Sequence, residues 1–149
     1  MPTRHPDPAA MLKLDNQLCF ALYSASLAMT KLYKPLLHDI GLTYPQYIVM
    51  LALWERDGVM VSELGERLSL DSGTLTPLLK RLEAAGFVSR VRDIQDERRV
   101  HITLTAAGRR LKSKAQKIPA CIVAATQCSL SEIVGLTREL RDLRDRLAA

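Results

Sequence analysis

What the sequence lacks narrows it before anything it contains. Its 149 residues include three cysteines, Cys19, Cys121 and Cys128. An odd, widely spaced set is no structural disulfide framework. There is no C-x-x-C, and His5, His38 and His101 are scattered, with no partner at metal-ligand spacing. No metal site and no cofactor is therefore expected. Apolar runs stay well short of the roughly 18 residues a membrane-spanning helix needs. The first ten residues, MPTRHPDPAA, have no apolar stretch like that of a secretory signal. Their three prolines make residues 1–10 read as a flexible arm, and the chain reads as cytoplasmic.

What is present is ordinary in bulk and uneven in placement. Hydrophobic residues make up 48% and charged residues 25%, so a folded core is expected rather than disorder. The length fits a single domain. The net charge of +5 comes mostly from residues 80–110, and a basic band on a small domain favours a polyanionic partner.

The stretch at residues 71–86, DSGTLTPLLKRLEAAG, organises the rest. Leu75, Leu78, Leu79 and Leu82 recur at helical spacing and form one apolar stripe. Ser72, Thr74, Thr76 and Lys80 fall largely off it, and Arg81 follows Lys80. Short hydroxyls and cations on an outward helix face suit phosphates and base edges in a major groove. An ordinary amphipathic surface helix has the same pattern, so the flanks decide. Pro77 breaks a local rule, since proline past the first turn removes a helical hydrogen bond.

Residues 11–37 carry helical periodicity, with a break expected near residues 30–34 and an end at Pro35 and Gly41. Thr43 reads as the cap of a helix with Pro45 in its first turn and a mostly apolar body to Trp54. Asp57-Gly58 is a turn. Ser62 is expected to cap a short helix over residues 63–69, which with the 71–86 helix makes a helix-turn-helix. Residues 87–92 and 100–104 alternate like strands around the polar turn DIQDERR, giving a β-hairpin wing. The wing carries Arg90, Arg92, Arg98 and Arg99, and Asp96 is placed to order Arg98. Such arginines suit a narrow minor groove. Thr105 caps a further helix that Pro119 should kink. Ser129 and Glu132 have capping-box spacing. The stripe Ile133, Leu136, Leu140, Leu143 and Leu147 resembles a coiled-coil seam, either packed within one subunit or shared between two.

The expected fold is thus mainly α with a small β-wing. A winged helix-turn-helix over residues 43–104 lies between terminal helices, 11–40 and 105–149, that would form a dimer. A two-fold dimer presents two recognition helices to a palindromic site.

These residues resemble the MarR family of winged-helix regulators over nearly the whole chain. The carriers are Leu42-Thr43 with Gln46, Ser62-Glu63-Leu64, Leu82-Glu83 with Gly86, Asp96-Glu97-Arg98-Arg99, and Leu104-Thr105 with Gly108. The 71–82 segment resembles the subgroup of organic hydroperoxide sensors. So does Asp15-Asn16-Gln17-Leu18-Cys19-Phe20, followed by Tyr33 and Tyr44-Pro45-Gln46-Tyr47.

The resemblance implies a homodimeric repressor rather than an enzyme, binding a double-stranded operator through Ser72, Thr74, Thr76, Lys80, Arg81, Arg90, Arg98 and Arg99. It implies that Cys19 is the peroxidatic thiol, its thiolate held by the hydroxyls of Tyr33 and Tyr44. Phenol donors favour a thiolate, and the thiolate is the nucleophile. Leu18, Phe20 and Leu22 around it would favour organic peroxides. The two-cysteine type of the subgroup forms an intersubunit disulfide to a C-terminal cysteine. Cys121, beside Pro119, is favoured, and Cys128 is the alternative. Two other readings stay open: release by a non-covalent phenolic or aromatic ligand, and a thiol peroxidase using Cys19.

Overall fold

The computed structural model describes residues 7–149. The first six residues of the expected arm lie outside the described residues, while Pro8–Met11 form a short helix, α1. A 3-10 turn, Leu14–Asn16, follows. Then come α2 (Leu18–His38), α3 (Tyr44–Glu55), β1 (Val59–Met60), α4 (Val61–Leu68) and α5 (Ser72–Ala84). β2 (Val88–Arg92) and β3 (Val100–Leu104) form the wing, and α6 (Ala106–Ala115), α7 (Ile118–Thr126) and α8 (Leu130–Ala148) complete the chain.

Local chemistry sets most of these boundaries. The Thr43 hydroxyl accepts from the Gln46 N–H, and the Gln46 carboxamide accepts from the Thr43 N–H, a full capping box at α3. Asp71 caps α5 by accepting from the Thr74 N–H at 2.8 Å. Thr105 caps α6 through Gly108 and Ser129 caps α8 through Glu132. Gly41, Gly58 and Gly86 occupy the left-handed region at the turns that follow α2, α3 and α5, where a side chain would be strained.

Four expectations need correction. α2 runs unbroken through residues 30–34 and past Pro35 to His38. The break falls earlier, at residues 12–17, where Gln17 and Asn16 turn back to the carbonyls of Met11 and Ala10. Ser62 does not cap α4, which begins at Val61 with no side-chain cap. The expected kinked helix after Thr105 is two helices parted at Gln116–Lys117, with Pro119 in the first turn of the second, where its missing N–H costs nothing. The hairpin also gains a third strand. β1 pairs antiparallel with β3 in the order β1-β3-β2. Two residues are too short to show alternation in a sequence.

The core lies where α3, α4 and α5 meet the sheet and α6. Met50, Leu53, Leu64, Leu75, Leu79, Leu82 and Ile102 are all buried there. Each such side chain stabilises by about 1.5–3 kcal/mol when removed from water. Asp57 ties the β1 turn to the wing base, accepting from the Gly58 and Leu104 N–H groups, both at 2.8 Å. The termini differ from this core. Segment Ala106–Thr126 and α8 meet at 96°, and α8 buries none of its residues. Leu18, Tyr23 and Leu27 of α2 and Val134, Leu136 and Leu147 of α8 are exposed. No single helix among the described residues is long and apolar enough to cross a membrane.

Candidate nucleic-acid interface and thiol site

α5 separates its two faces cleanly. Leu75, Leu78, Leu79 and Leu82 are buried, and at 100° per residue the opposite side centres on Gly73, Pro77 and Lys80. Thr76 and Arg81 flank this face, while Ser72 and Thr74 open the helix and are exposed. Thr76 is half-buried, whereas Ser72, Thr74, Lys80 and Arg81 are exposed. Gly73 carries no side-chain signal in the sequence, and Pro77 breaks a local rule there. They lie one turn apart on the outward face, and a Cβ on Gly73 would meet only the Asp71 carboxylate, at 3.4 Å. The face is therefore low in relief where a groove would approach. Proline's steric conflict is with the carbonyl four residues back, here that of a glycine in the first turn.

The wing stands beside this helix, and an open groove of about 720 Å³ between them is lined by Ser62, Ser69, Ser72, Arg98 and Arg99 among others. The Asp96 carboxylate accepts from the Arg98 N–H at 3.1 Å and lies 3.5 Å and 3.8 Å from the guanidinium groups of Arg98 and Arg99. Arg98 is 94% exposed, so its pairing with Asp96 leaves the guanidinium open to solvent. Arg90 is half-buried, and its N–H donates to Glu83 at 3.1 Å. Asp93, at the wing's turn, accepts from the Gln95 N–H at 2.8 Å and faces the His101 ring at 3.3 Å. These contacts hold its carboxyl below the usual range, the Gln95 bond being the largest cause. Neither the Asp93–His101 contact nor the 3.4 Å approach of His101 to the Gly58 carbonyl was legible without the strand pairing.

Cys19 is an exposed thiol in the first turn of α2. The leading N–H groups of a helix have no intrahelical acceptor and favour negative charge nearby. Tyr33 and Tyr44 are together, with ring centroids 4.9 Å apart, and buried Tyr47 completes a cluster at 5.9 Å and 6.3 Å. Burial, then the neighbouring Tyr44 and Tyr47, pushes the Tyr33 phenol up to about 12. The expected contact with Cys19 is not made within one chain. Tyr33 lies fourteen residues further along the same unbroken helix, about 21 Å away at 1.5 Å per residue. Beside Tyr44 is a pocket of about 420 Å³ lined by Thr30, Lys34, Leu37, His38, Leu42 and Pro45.

The two C-terminal cysteines do not share one helix. Cys121 is exposed within α7. α7 ends at Thr126, Gln127 is left-handed, and half-buried Cys128 lies beyond the turn with its Sγ 3.5 Å from the Thr126 carbonyl. Among the described residues no cluster of His, Cys, Asp or Glu could hold a metal ion.

A capped recognition helix, the short helix before it and an arginine-tipped wing define a winged-helix DNA-binding protein. Residues 31–115 match the family described as Transcriptional regulator SarA/Rot. The chain is 51% identical over 147 residues to the HTH-type transcriptional regulator TtmR of Methylorubrum extorquens, covering 99% of this chain and 74% of that protein. It is 48% identical over 136 residues to the organic hydroperoxide resistance transcriptional regulator of Bacillus subtilis, covering 91% and 92%. AbfR of Staphylococcus epidermidis, solved reduced on DNA, superposes with a TM-score of 0.73 at 36% identity, covering 95% of this chain and 99% of that one. AbfR has also been solved with a disulfide formed. The chain belongs to the MarR family of winged-helix transcriptional regulators.

Proposed function

We propose that the protein is a homodimeric, cytoplasmic, peroxide-released repressor. Reduced, it holds a pseudo-palindromic operator, with Ser72, Thr74, Thr76, Lys80 and Arg81 in the major groove and Arg98 in the minor groove, Arg90 and Arg99 supporting at the backbone. An organic hydroperoxide oxidises Cys19. The thiolate attacks the terminal peroxide oxygen, the O–O bond breaks, and the products are a Cys19 sulfenic acid and the alcohol ROH after one proton is taken up. A C-terminal thiol of the partner subunit then attacks the sulfenic sulfur, forming a disulfide and releasing water. The disulfide pulls the terminal helices, and the recognition helices lose the one-turn spacing the duplex demands.

One observation carries the reading. Cys19 is an exposed thiol on an apolar helix face with nothing covering it in one chain, and the tyrosines that suit a thiolate are about 21 Å along that helix. A dimer built on α2 and α8 covers the apolar face and supplies Tyr33 and Tyr44 from the partner subunit. The pocket beside Tyr44 gives the organic substituent somewhere to sit. The Bacillus subtilis relative, an organic hydroperoxide resistance regulator by name, and the reduced and disulfide forms of AbfR support the same chemistry. Among C-terminal thiols the exposed Cys121 is the better-placed resolving group, with Cys128 the other.

The test is a gel shift with a duplex selected by the reduced protein from a randomised pool. Cumene hydroperoxide should release wild-type protein and leave Cys19→Ser bound. Release of Cys19→Ser by peroxide would remove the sensing role. The same pocket favours a second reading, release by a non-covalent phenolic ligand, which predicts that salicylate-like compounds free both proteins equally.

A further inference from the structure

The wing carries one residue that its own fold does not use. Ile94 is wholly exposed, in the turn between β2 and β3. β-branched residues favour strands, and turns favour Gly, Asn, Asp, Ser and Pro, so local conformation does not call for isoleucine there. A single exposed apolar side chain is common on any surface. This one differs in how it is held and what surrounds it.

The turn is tied down on every side of Ile94. Asp93 accepts from the Gln95 N–H at 2.8 Å and donates its own N–H to the Arg99 carbonyl at 2.9 Å. The Arg99 N–H donates to the Asp96 carbonyl at 2.9 Å, and His101 faces the Asp93 carboxylate at 3.3 Å. Residue 94 therefore sits two positions past the end of β2 on an ordered tip rather than a loose loop. Arg92 precedes it, and exposed Arg98 and Arg99 follow. The turn also carries Asp93, Asp96 and Glu97, of which Asp93 and Asp96 are engaged in holding the turn, and Ile94 is its one apolar side chain. A side chain that gives up local propensity and full solvation, on a tip that the fold orders, marks a functional position.

We propose that Ile94 is an apolar minor-groove contact, a specificity determinant distinct from the wing arginines. Charge brings the tip to a narrowed groove. There Ile94 packs against the sugar walls and presses on a base step, as apolar wedges do when they unstack DNA. Isoleucine has no donor or acceptor, so it reads no base edge. It makes affinity depend on how easily the step beneath it deforms, which is least costly at pyrimidine–purine steps. The inference rests on the DNA-binding reading above.

The experiment uses the full-length reduced protein and the duplex that wild type selects from a randomised pool, with Kd measured across a salt series. Ile94→Ser should bind at least about fivefold more weakly at every salt. Its salt slope should be unchanged, because an apolar contact releases no counterions. Ile94→Leu should stay close to wild type. Arg98→Ala should instead lower the slope by about one. Replacing the flanking pyrimidine–purine step by A–A should weaken wild type and leave Ile94→Ser indifferent. Ile94→Ser binding as tightly as wild type, a changed slope in Ile94→Ser, or equal sensitivity of both proteins to the flanking step would each overturn the proposal. If wild-type protein selects no duplex, the DNA-binding reading falls and takes this inference with it. Because Ile94 touches no core residue, the serine variant keeps the fold, which its thermal melt checks.

Discussion

Tyr33 and Tyr44 face each other at 4.9 Å between ring centroids, one from α2 and one from α3. The thiol they suit lies at the far end of α2. On the proposed mechanism a second copy completes the site, and mixing variants tests that directly. Cys19→Ser alone should not react, and Tyr33→Phe/Tyr44→Phe should oxidise slowly. A heterodimer of the two should regain one fast site, since its only Cys19 then meets the partner's intact tyrosines. Stopped-flow oxidation by cumene hydroperoxide reads the rate. If mixing restores nothing, the tyrosines do not act across the interface.

The Tyr33 phenol titrates near 12 against an ordinary 10.0, chiefly through burial and then through Tyr44. The folded state holds this proton more tightly than the unfolded chain does. The neutral phenol's contribution to stability is therefore complete below pH 10 and is lost as pH rises from about 10 to about 12. Across the physiological range Tyr33 remains a proton donor. Tyr47 is also raised, by burial and then by Tyr44, so tyrosinate absorbance should show late-titrating tyrosines of which Tyr33→Phe removes one. Tyr44→Phe should lower the Tyr33 value only part of the way, because burial persists. A wild-type titration complete near the ordinary value would refute the cluster's effect.

Much of this was readable in the sequence where a single local signal decides. The Leu75–Leu82 stripe, the caps at Thr43, Thr105 and Ser129, and the hairpin around DIQDERR each announce themselves within a few residues. What was not readable depends on distance in space. The continuity of α2 past Pro35 reflects helical contacts that outweigh one lost N–H bond. β1 exists because Val59 and Met60 find Ile102 and His101, over forty residues away. The separation of Cys19 from Tyr33 follows from α2 being unbroken. The break expected at residues 30–34 concealed it.

Asp93 is the fixed point of the wing tip, and its lowered carboxyl pKa gives a sign. The carboxylate's bonds to Gln95 and His101 contribute above the ordinary value of 3.8 and are lost as pH falls through the lower folded value. Near neutral pH, removing the carboxylate should do the same. Asp93→Ala should weaken operator binding and speed hydrogen exchange at the Gln95 amide, leaving the melting temperature nearly unchanged. Unaltered exchange at Gln95 would show that the turn is held by other means.

Gly108 lies where α6 crosses the start of the wing. A Cβ there would fall 2.1 Å from the Phe87 carbonyl oxygen, a backbone atom that cannot step aside. The Gly108 carbonyl also accepts from the Trp54 indole at 2.9 Å. Gly108→Ala should destabilise the protein by about 3 kcal/mol or more, the upper end of overpacking costs. Thermal unfolding measures it, and a variant melting like wild type would mean that α6 can shift on the wing base. Gly135→Ala, where an added Cβ meets nothing within 4 Å, is the control.

The two C-terminal thiols differ in what they must give up to react. Cys121 is exposed on α7, which packs on α2, the helix that carries Cys19. Cys128 is half-buried past the Gln127 turn, with its Sγ against the Thr126 carbonyl and its N–H donating to the Thr126 hydroxyl at 3.3 Å. Cys128 has to break that local arrangement to leave, whereas Cys121 needs only the subunits to approach. On a non-reducing gel after peroxide, wild type and Cys128→Ser should run as covalent dimers and Cys121→Ser as a monomer. The reverse pattern would assign resolution to Cys128. It would also make the α7–α8 joint, rather than α7 itself, the element that oxidation moves. A dimer persisting in both single variants would mean that either thiol can capture the sulfenic acid, and only Cys121→Ser/Cys128→Ser would then stop at that oxidation state.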